Sequence, residues 1–182
     1  MAGGKQIPVD LRFAVYRMVV MSGGENEWEA VKGIFETSDM NEEKLRALRA
    51  LGFTTVPELK IKTLEYTLNN VRPQDVAFGI QSVASSSVEG RQGAWKFFQD
   101  NFDTFVSKFG EGQFLLPRII GYVTSGFVTD ADADLIEAFF AAHPTPTADR
   151  TIKQSLEAVR SNAAWLVRDR QAVSAFLLGF DA

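Results

Sequence analysis

Apolar residues recur along this chain at three- and four-residue steps. Leu11, Val15, Met18 and Val19 set the rhythm, Trp28, Val31 and Phe35 repeat it, and Leu45, Leu48 and Leu51 continue it. Such spacing gathers each set on one face of an α-helix, and the strict alternation of a strand persists nowhere over a useful length. Helix-start and helix-stop residues divide the pattern into elements. Asp10, after Pro8, predicts the cap of a first helix that stops near Met21 at Ser22-Gly23-Gly24. A second helix opens at Glu25 or Asn26 and reaches Thr37. Asp39 with Glu42, and Thr55 with Glu58, each have capping-box spacing and predict the starts of the third and fourth. Pro73 opens a fifth helix to about Ala84, and Ser87 caps the next, which carries Trp95, Phe97 and Phe98 to Asn101.

The second half keeps the same rhythm. Short helices are expected over Asp103–Phe109 and Leu115–Val123, then one capped by Thr129 and Asp130 that reaches Ala142. Two prolines deny helix to His143-Pro144-Thr145-Pro146-Thr147. Ala148–Trp165 reads as a long helix and Arg170–Leu178 as a last one. About ten helices joined by short loops predict an all-α protein of antiparallel neighbours. A HEAT- or armadillo-like α-solenoid of helix pairs and a compact bundle both fit this periodicity.

Composition narrows the function. The chain has 182 residues, 46% of them hydrophobic and 23% charged, with a formal net charge of −4. Scattered basic residues under a negative balance leave no field for nucleic acid. No apolar run is long enough for a membrane span, so no membrane partner is expected. Cysteine is absent, which removes thiolate metal sites and cysteine nucleophiles and fits a reducing compartment. Residues 1–6 read as a linker or an expression remnant, and residues 7–182 as one domain.

Candidate chemistry is sparse. A zinc-peptidase H-E-x-x-H motif needs two imidazoles, and His143 is the only histidine. Asp130, Asp132 and Asp134 alternate like a calcium loop, but Leu135 and Ala141 stand where that loop needs Gly and Glu. They read better as an acidic first turn at a helix N-terminus. No nucleophile elbow or phosphate-binding loop is present. His143 is expected to bond a helix-terminal carbonyl. Trp28, Trp95 and Trp165 are expected in the core, and Glu42, Glu43, Lys44, Arg46 and Arg49 on a solvated helix face. Arg118 sits inside the apolar run Leu115-Leu116-Pro117-Arg118-Ile119-Ile120. It must therefore reach solvent, a carboxylate or a cavity; the first two are expected ahead of a ligand role.

Six stretches carry a family resemblance, in one collinear order from about Ile7 to Leu177. They are Ile7-Pro8-Val9-Asp10-Leu11-Arg12, Asp39 to Lys44, Val71-Arg72-Pro73-Gln74-Asp75, Gly90-Arg91 with Ala94-Trp95-Lys96-Phe97, His143 to Gln154, and Asn162 to Leu166. Together they resemble the C-terminal helical domain of the zinc aminopeptidases typified by the puromycin-sensitive, cytosolic enzyme. The resemblance implies a parent that binds zinc through an upstream H-E-x-x-H motif and reads substrate N-termini with an upstream G-A-M-E-N loop. This chain would hold no cofactor and would not be an enzyme alone. The resemblance also implies HEAT-like helix pairs forming a bowl over an upstream catalytic domain of the same polypeptide, enclosing peptide substrates. Arg118 matches the arginine of the family's S-R-[LI]-I run and becomes the candidate residue facing the peptide chamber, with Pro117 replacing the small residue before it. The arginines that some endoplasmic-reticulum relatives use for peptide C-termini have no match here; their positions fall near Phe53 and Ser86. A free-standing helical-repeat module that binds peptides or proteins is the alternative reading. Self-association is expected through an N-terminal edge involving Phe13, Tyr16 or Val20.

Overall fold

The computed structural model describes residues 7–111 and 114–179, so the expected linker at residues 1–6 lies outside the described residues. Among the described residues the chain forms α-helices and no strand. They are α1 (Val9–Ser22), α2 (Glu25–Thr37), α3 (Asn41–Leu51), α4 (Pro57–Asn70), α5 (Pro73–Ala84), α6 (Val88–Asp100), α7 (Phe102–Phe109), α8 (Leu115–Val123), α9 (Asp130–Ala142) and α10 (Asp149–Leu178), with a 3₁₀ turn (Pro146–Ala148) ahead of α10.

The helices stack in two rows. Along the first, backbones pack directly, α1 on α3, α3 on α5, α5 on α8 and α8 on α10. The second row holds α2, α4, α6 and α9, with α7 as a short connection. Between α2 and α4 long side chains bridge the gap. Trp28 Nε1 donates to Thr63 Oγ1 at 2.9 Å, Lys62 Nζ to Glu29 at 2.7 Å, and the Tyr66 hydroxyl to Glu36 at 3.0 Å. Backbones thus approach more closely along the first row than between α2 and α4. α1 packs on α2 and α3, while α10 packs on α8 and α9. Each helix meets its neighbours in order, which is a solenoid and not a closed bundle.

The core lies between the rows. Leu48, Leu51, Val76, Ile80, Val83, Ile119 and Ile120 come from the first row, and Trp28, Leu64, Phe98 and Ile136 from the second, all almost fully buried. Burying each such side chain contributes roughly 1.5–3 kcal/mol. Toward the C-terminal end the core is aromatic: Trp95 meets Phe98, Phe139 and Phe140 with ring centroids 5.2–6.0 Å apart. His143 closes this cluster. Its Nδ1 bonds the Phe139 carbonyl at 2.9 Å and its ring stacks on Phe139 at 4.3 Å. The expected structural role holds.

Several local expectations are corrected. α1 starts at Val9 with Pro8 at its N-cap, so Asp10 lies in the first turn instead of capping it. The Asp39/Glu42 box does not form, because Glu42 turns to Arg46 and the Ser38 hydroxyl accepts the Met40 N–H. The Thr55/Glu58 box fails as well. The Thr55 hydroxyl donates to the Met21 carbonyl at 3.2 Å, tying the end of α1 to the start of α4. Ser87 and Thr129 do cap their helices. The two expected C-terminal helices are one helix of 30 residues, since Leu166-Val167-Arg168-Asp169 contains no breaker. Trp165 lies beyond the last supporting helix and is 48% exposed, not in the core. Glu43, expected in solvent, is buried. Val20 is buried too, and Phe13 and Tyr16 pack against the core. The apolar side chains that α1 exposes are instead Val9, Leu11, Met18, Val19 and Met21.

Candidate functional site

α8 places the candidate cation. Leu116, Pro117, Ile119 and Ile120 are buried and Arg118 between them is exposed. Pro117 fits because it sits in the first turn, where backbone N–H groups have no helical partner to lose. The helix therefore starts at Leu115, as the spacing predicts. Arg118 forms no ion pair with a carboxylate among the described residues. Its Nε donates to the Tyr122 hydroxyl one turn on, at 3.2 Å, and its guanidinium carbon lies 4.7 Å from the centroid of the Phe78 ring on α5.

Phe78 holds a second cation. The guanidinium carbon of Arg49, on α3, lies 4.2 Å from the same centroid. One helix further along the row, Arg17 of α1 lies 4.1 Å from the centroid of Phe53, which in turn meets Phe13 edge-on at 6.4 Å. An open groove of about 150 Å³ joins the two ring systems, lined by Phe13, Arg49, Phe53, Phe78, Gln81 and Ser85. Three exposed guanidiniums from α1, α3 and α8 thus share the first-row face, each over a phenyl ring and none paired with an acid among the described residues. A cation over a ring at an exposed site gains about 0.5–1 kcal/mol, much less than the full solvation of the charge. The rings orient these cations and leave their charge open to a ligand.

Sequence reading singled out Arg118 and missed the other two. On its own helix Arg49 belongs to a solvated charged face, and nothing in the pattern of α1 distinguishes Arg17. The available signal was a ring-bearing partner on the next helix of the row, which no single helix pattern reveals.

Beside this face, buried Glu43 organises α1 and α3. It accepts hydrogen bonds from the Tyr16 hydroxyl, from Arg12 at 3.1 Å and from Arg46 at 3.0 Å. Burial pushes its carboxyl up, but these three donors outweigh that and hold it below the ordinary range. A second recess of about 440 Å³ opens between α4 and α6, with Met21, Phe53, Ile61, Leu64 and Val83 among its walls. Phe53 and Ser86 both line it, and its cation is Lys60, whose Nζ donates to Ser86 Oγ at 2.9 Å. Burial pushes the Lys60 amine down, partly opposed by Glu89.

Among the described residues no three His, Asp or Glu side chains converge as a metal would require. No described helix is long and apolar enough to cross a membrane.

Comparison with known proteins places this architecture. Residues 1–161 match the model of the ERAP1-like C-terminal domain. Aminopeptidase 2, mitochondrial, of Saccharomyces cerevisiae is 33% identical over 97% of this chain and 19% of its own length. Aminopeptidase M1 of Arabidopsis thaliana is 34% identical over 88% of this chain and 18% of its own, and aminopeptidase N of Canis lupus familiaris 31% over 90% and 17%. The chain therefore spans less than a fifth of the length of these relatives. On the matched residues and the two-row helical stack together, the chain belongs to the ERAP1-like C-terminal domain family.

Proposed function

We propose that this chain is the non-catalytic C-terminal domain of a zinc aminopeptidase, and that its first-row face forms part of the wall around the peptide chamber. The observation that carries the reading is Arg118, exposed over Phe78 with no carboxylate paired to it among the described residues. The relatives' names support an aminopeptidase parent. In this reading zinc is held by the upstream catalytic domain, which removes N-terminal residues. The helical wall limits substrate size and holds the distal part of the peptide. The cysteine-free sequence fits a parent working in a reducing compartment such as the cytosol.

Arg118→Gln in the intact enzyme tests this. A residue that touches only the distal peptide should raise KM for peptides of eight or more residues and leave hydrolysis of a single-residue fluorogenic amide unchanged. Equal effects on both substrates, or none on either, would remove Arg118 from the chamber. The chain alone should hydrolyse neither substrate, with or without added zinc.

A further inference from the structure

We infer that the first-row arginine face selects peptides carrying Asp or Glu side chains downstream of the N-terminus. This rests on the chamber-wall reading and adds a substrate class to it.

Acidic residues outnumber basic ones in this chain, 23 to 19. Arg12, Arg46, Arg72, Arg160 and Arg168 each engage a carboxylate. Arg17, Arg49 and Arg118 form no ion pair among the described residues, which is also true of Arg91, Arg150 and Arg170, but these three lie over the neighbouring rings of Phe53 and Phe78. Arg49 and Arg118 lie within 4.7 Å of one ring centroid. Both charges therefore border the Phe78 ring, and an acidic peptide lying across that surface would be attracted by each of them.

The geometry of the donors favours a carboxylate. A guanidinium laid over a ring gives up one face and keeps its in-plane N–H groups directed away from the ring. Tyr122 occupies only the Nε edge of Arg118, which leaves both terminal nitrogens for a two-point contact with a carboxylate. Gln81 and Ser85 in the adjoining groove add neutral polar groups for the peptide backbone, and Phe13, Phe53 and Phe78 add apolar surface. Side-chain carboxylates fit better than a peptide's single terminal carboxylate, because the three cations are spread over α1, α3 and α8 instead of closing on one point.

Fluorescence anisotropy on the full chain tests the proposal, using labelled nonapeptides with amidated C-termini that carry either Glu or Gln at the central positions. The Glu peptide is expected to bind about tenfold more tightly than the Gln peptide in low salt. The advantage should fall in 0.5 M sodium chloride and disappear in R49Q/R118Q, while R168Q on distant α10 keeps it. Circular dichroism establishes that the variants remain folded. Equal binding of the Glu and Gln peptides, or an advantage that survives R49Q/R118Q, overturns the acidic preference and leaves the wall reading standing. A gain seen only for a Gln peptide with a free C-terminal carboxylate overturns it in favour of the chain end. Binding of no peptide at millimolar concentration overturns both readings.

Discussion

Across the contact between α4 and α5, the Thr67 hydroxyl faces Gly79 so closely that a Cβ on that glycine would stand 2.4 Å from Oγ1. Thr67 is fully buried, and its hydroxyl has no hydrogen-bond partner among the described residues. Thr63, one turn earlier, shows the satisfied alternative, donating to the Leu59 carbonyl and accepting from Trp28. A buried hydroxyl without a partner costs about 1–3 kcal/mol. Thr67→Val keeps the shape and removes that cost, so it should stabilise the fold by about 1 kcal/mol, read as a higher urea midpoint at unchanged m-value. The opposite change sits nearby. A Cβ at Gly52 would meet the Val83 backbone nitrogen at 2.4 Å, and backbone cannot swing aside. Gly52→Ala should therefore destabilise by about 1–3 kcal/mol by forcing α3 from α5.

Stability should also depend on pH through Glu43. Its folded pKa lies below the ordinary 4.5, so the native state releases this proton more readily than the unfolded chain does. The resulting stability is present above pH 4.5 and is lost as pH falls through the lower folded value. Tyr16 acts on the alkaline side. Burial, the hydrogen bond to Glu43 and that carboxylate's charge all raise its pKa above 10.0. Its contribution is present below pH 10 and is lost as pH rises beyond it. Urea titrations of Glu43→Gln should show a shallower loss of stability in acid than the parent chain. At pH 7 the same variant should be less stable by about 1.5–3 kcal/mol, the range for hydrogen bonds to a charged group.

How much of this was legible in the sequence depended on whether one helix or two decide a feature. α8 and α9 were readable from their own residues: the apolar run, the Thr129 cap and the prolines after His143 are local signals. The boxes at Asp39 and Thr55 have correct spacing, yet partners on other segments won. Glu42 goes to Arg46, and Thr55 reaches across to Met21. Glu43 looked solvated on its own helix and is buried because α1 delivers Arg12 and Tyr16 to it. The site follows the same rule. Arg118 was conspicuous because its sequence neighbours are apolar, whereas Arg17 and Arg49 matter only through Phe53 and Phe78 on adjacent segments.

Self-association should run through the exposed side of α1, with residues other than the Phe13, Tyr16 or Val20 expected at an N-terminal edge. Leu11 is 54% exposed and Met18 66%, and they are seven residues apart, which places them on one side two turns apart. Sedimentation velocity should show a weight-average mass that rises with concentration for the parent chain and stays at the monomer value for L11Q/M18Q. Val20→Ala should leave the association intact and lower stability by about 1–3 kcal/mol, because that side chain faces the core. A parent chain that stays monomeric throughout the concentration range would refute the α1 contact.

α10 offers a contrast within a single helix. Ile152, Leu156, Val159, Ala163, Leu166, Arg170, Val173 and Leu177 follow one another at alternating four- and three-residue steps, one seam, apolar except at Arg170, along most of the 30-residue helix. It packs on α8 and α9, and its buried residues, Ile152, Val159 and Ala163, all lie in its first half. Val159 is 1% exposed and Leu177 59%, although periodicity treats them alike. Val159→Ala should lower stability by about 1–3 kcal/mol, through lost burial and the cavity left behind. Leu177→Ala, although it removes more carbon, should change stability by less than about 0.5 kcal/mol. Urea midpoints of the two variants measure the difference. Equal losses would mean that the distal seam is packed against something in solution, and that the solenoid does not end where α8 and α9 stop supporting it.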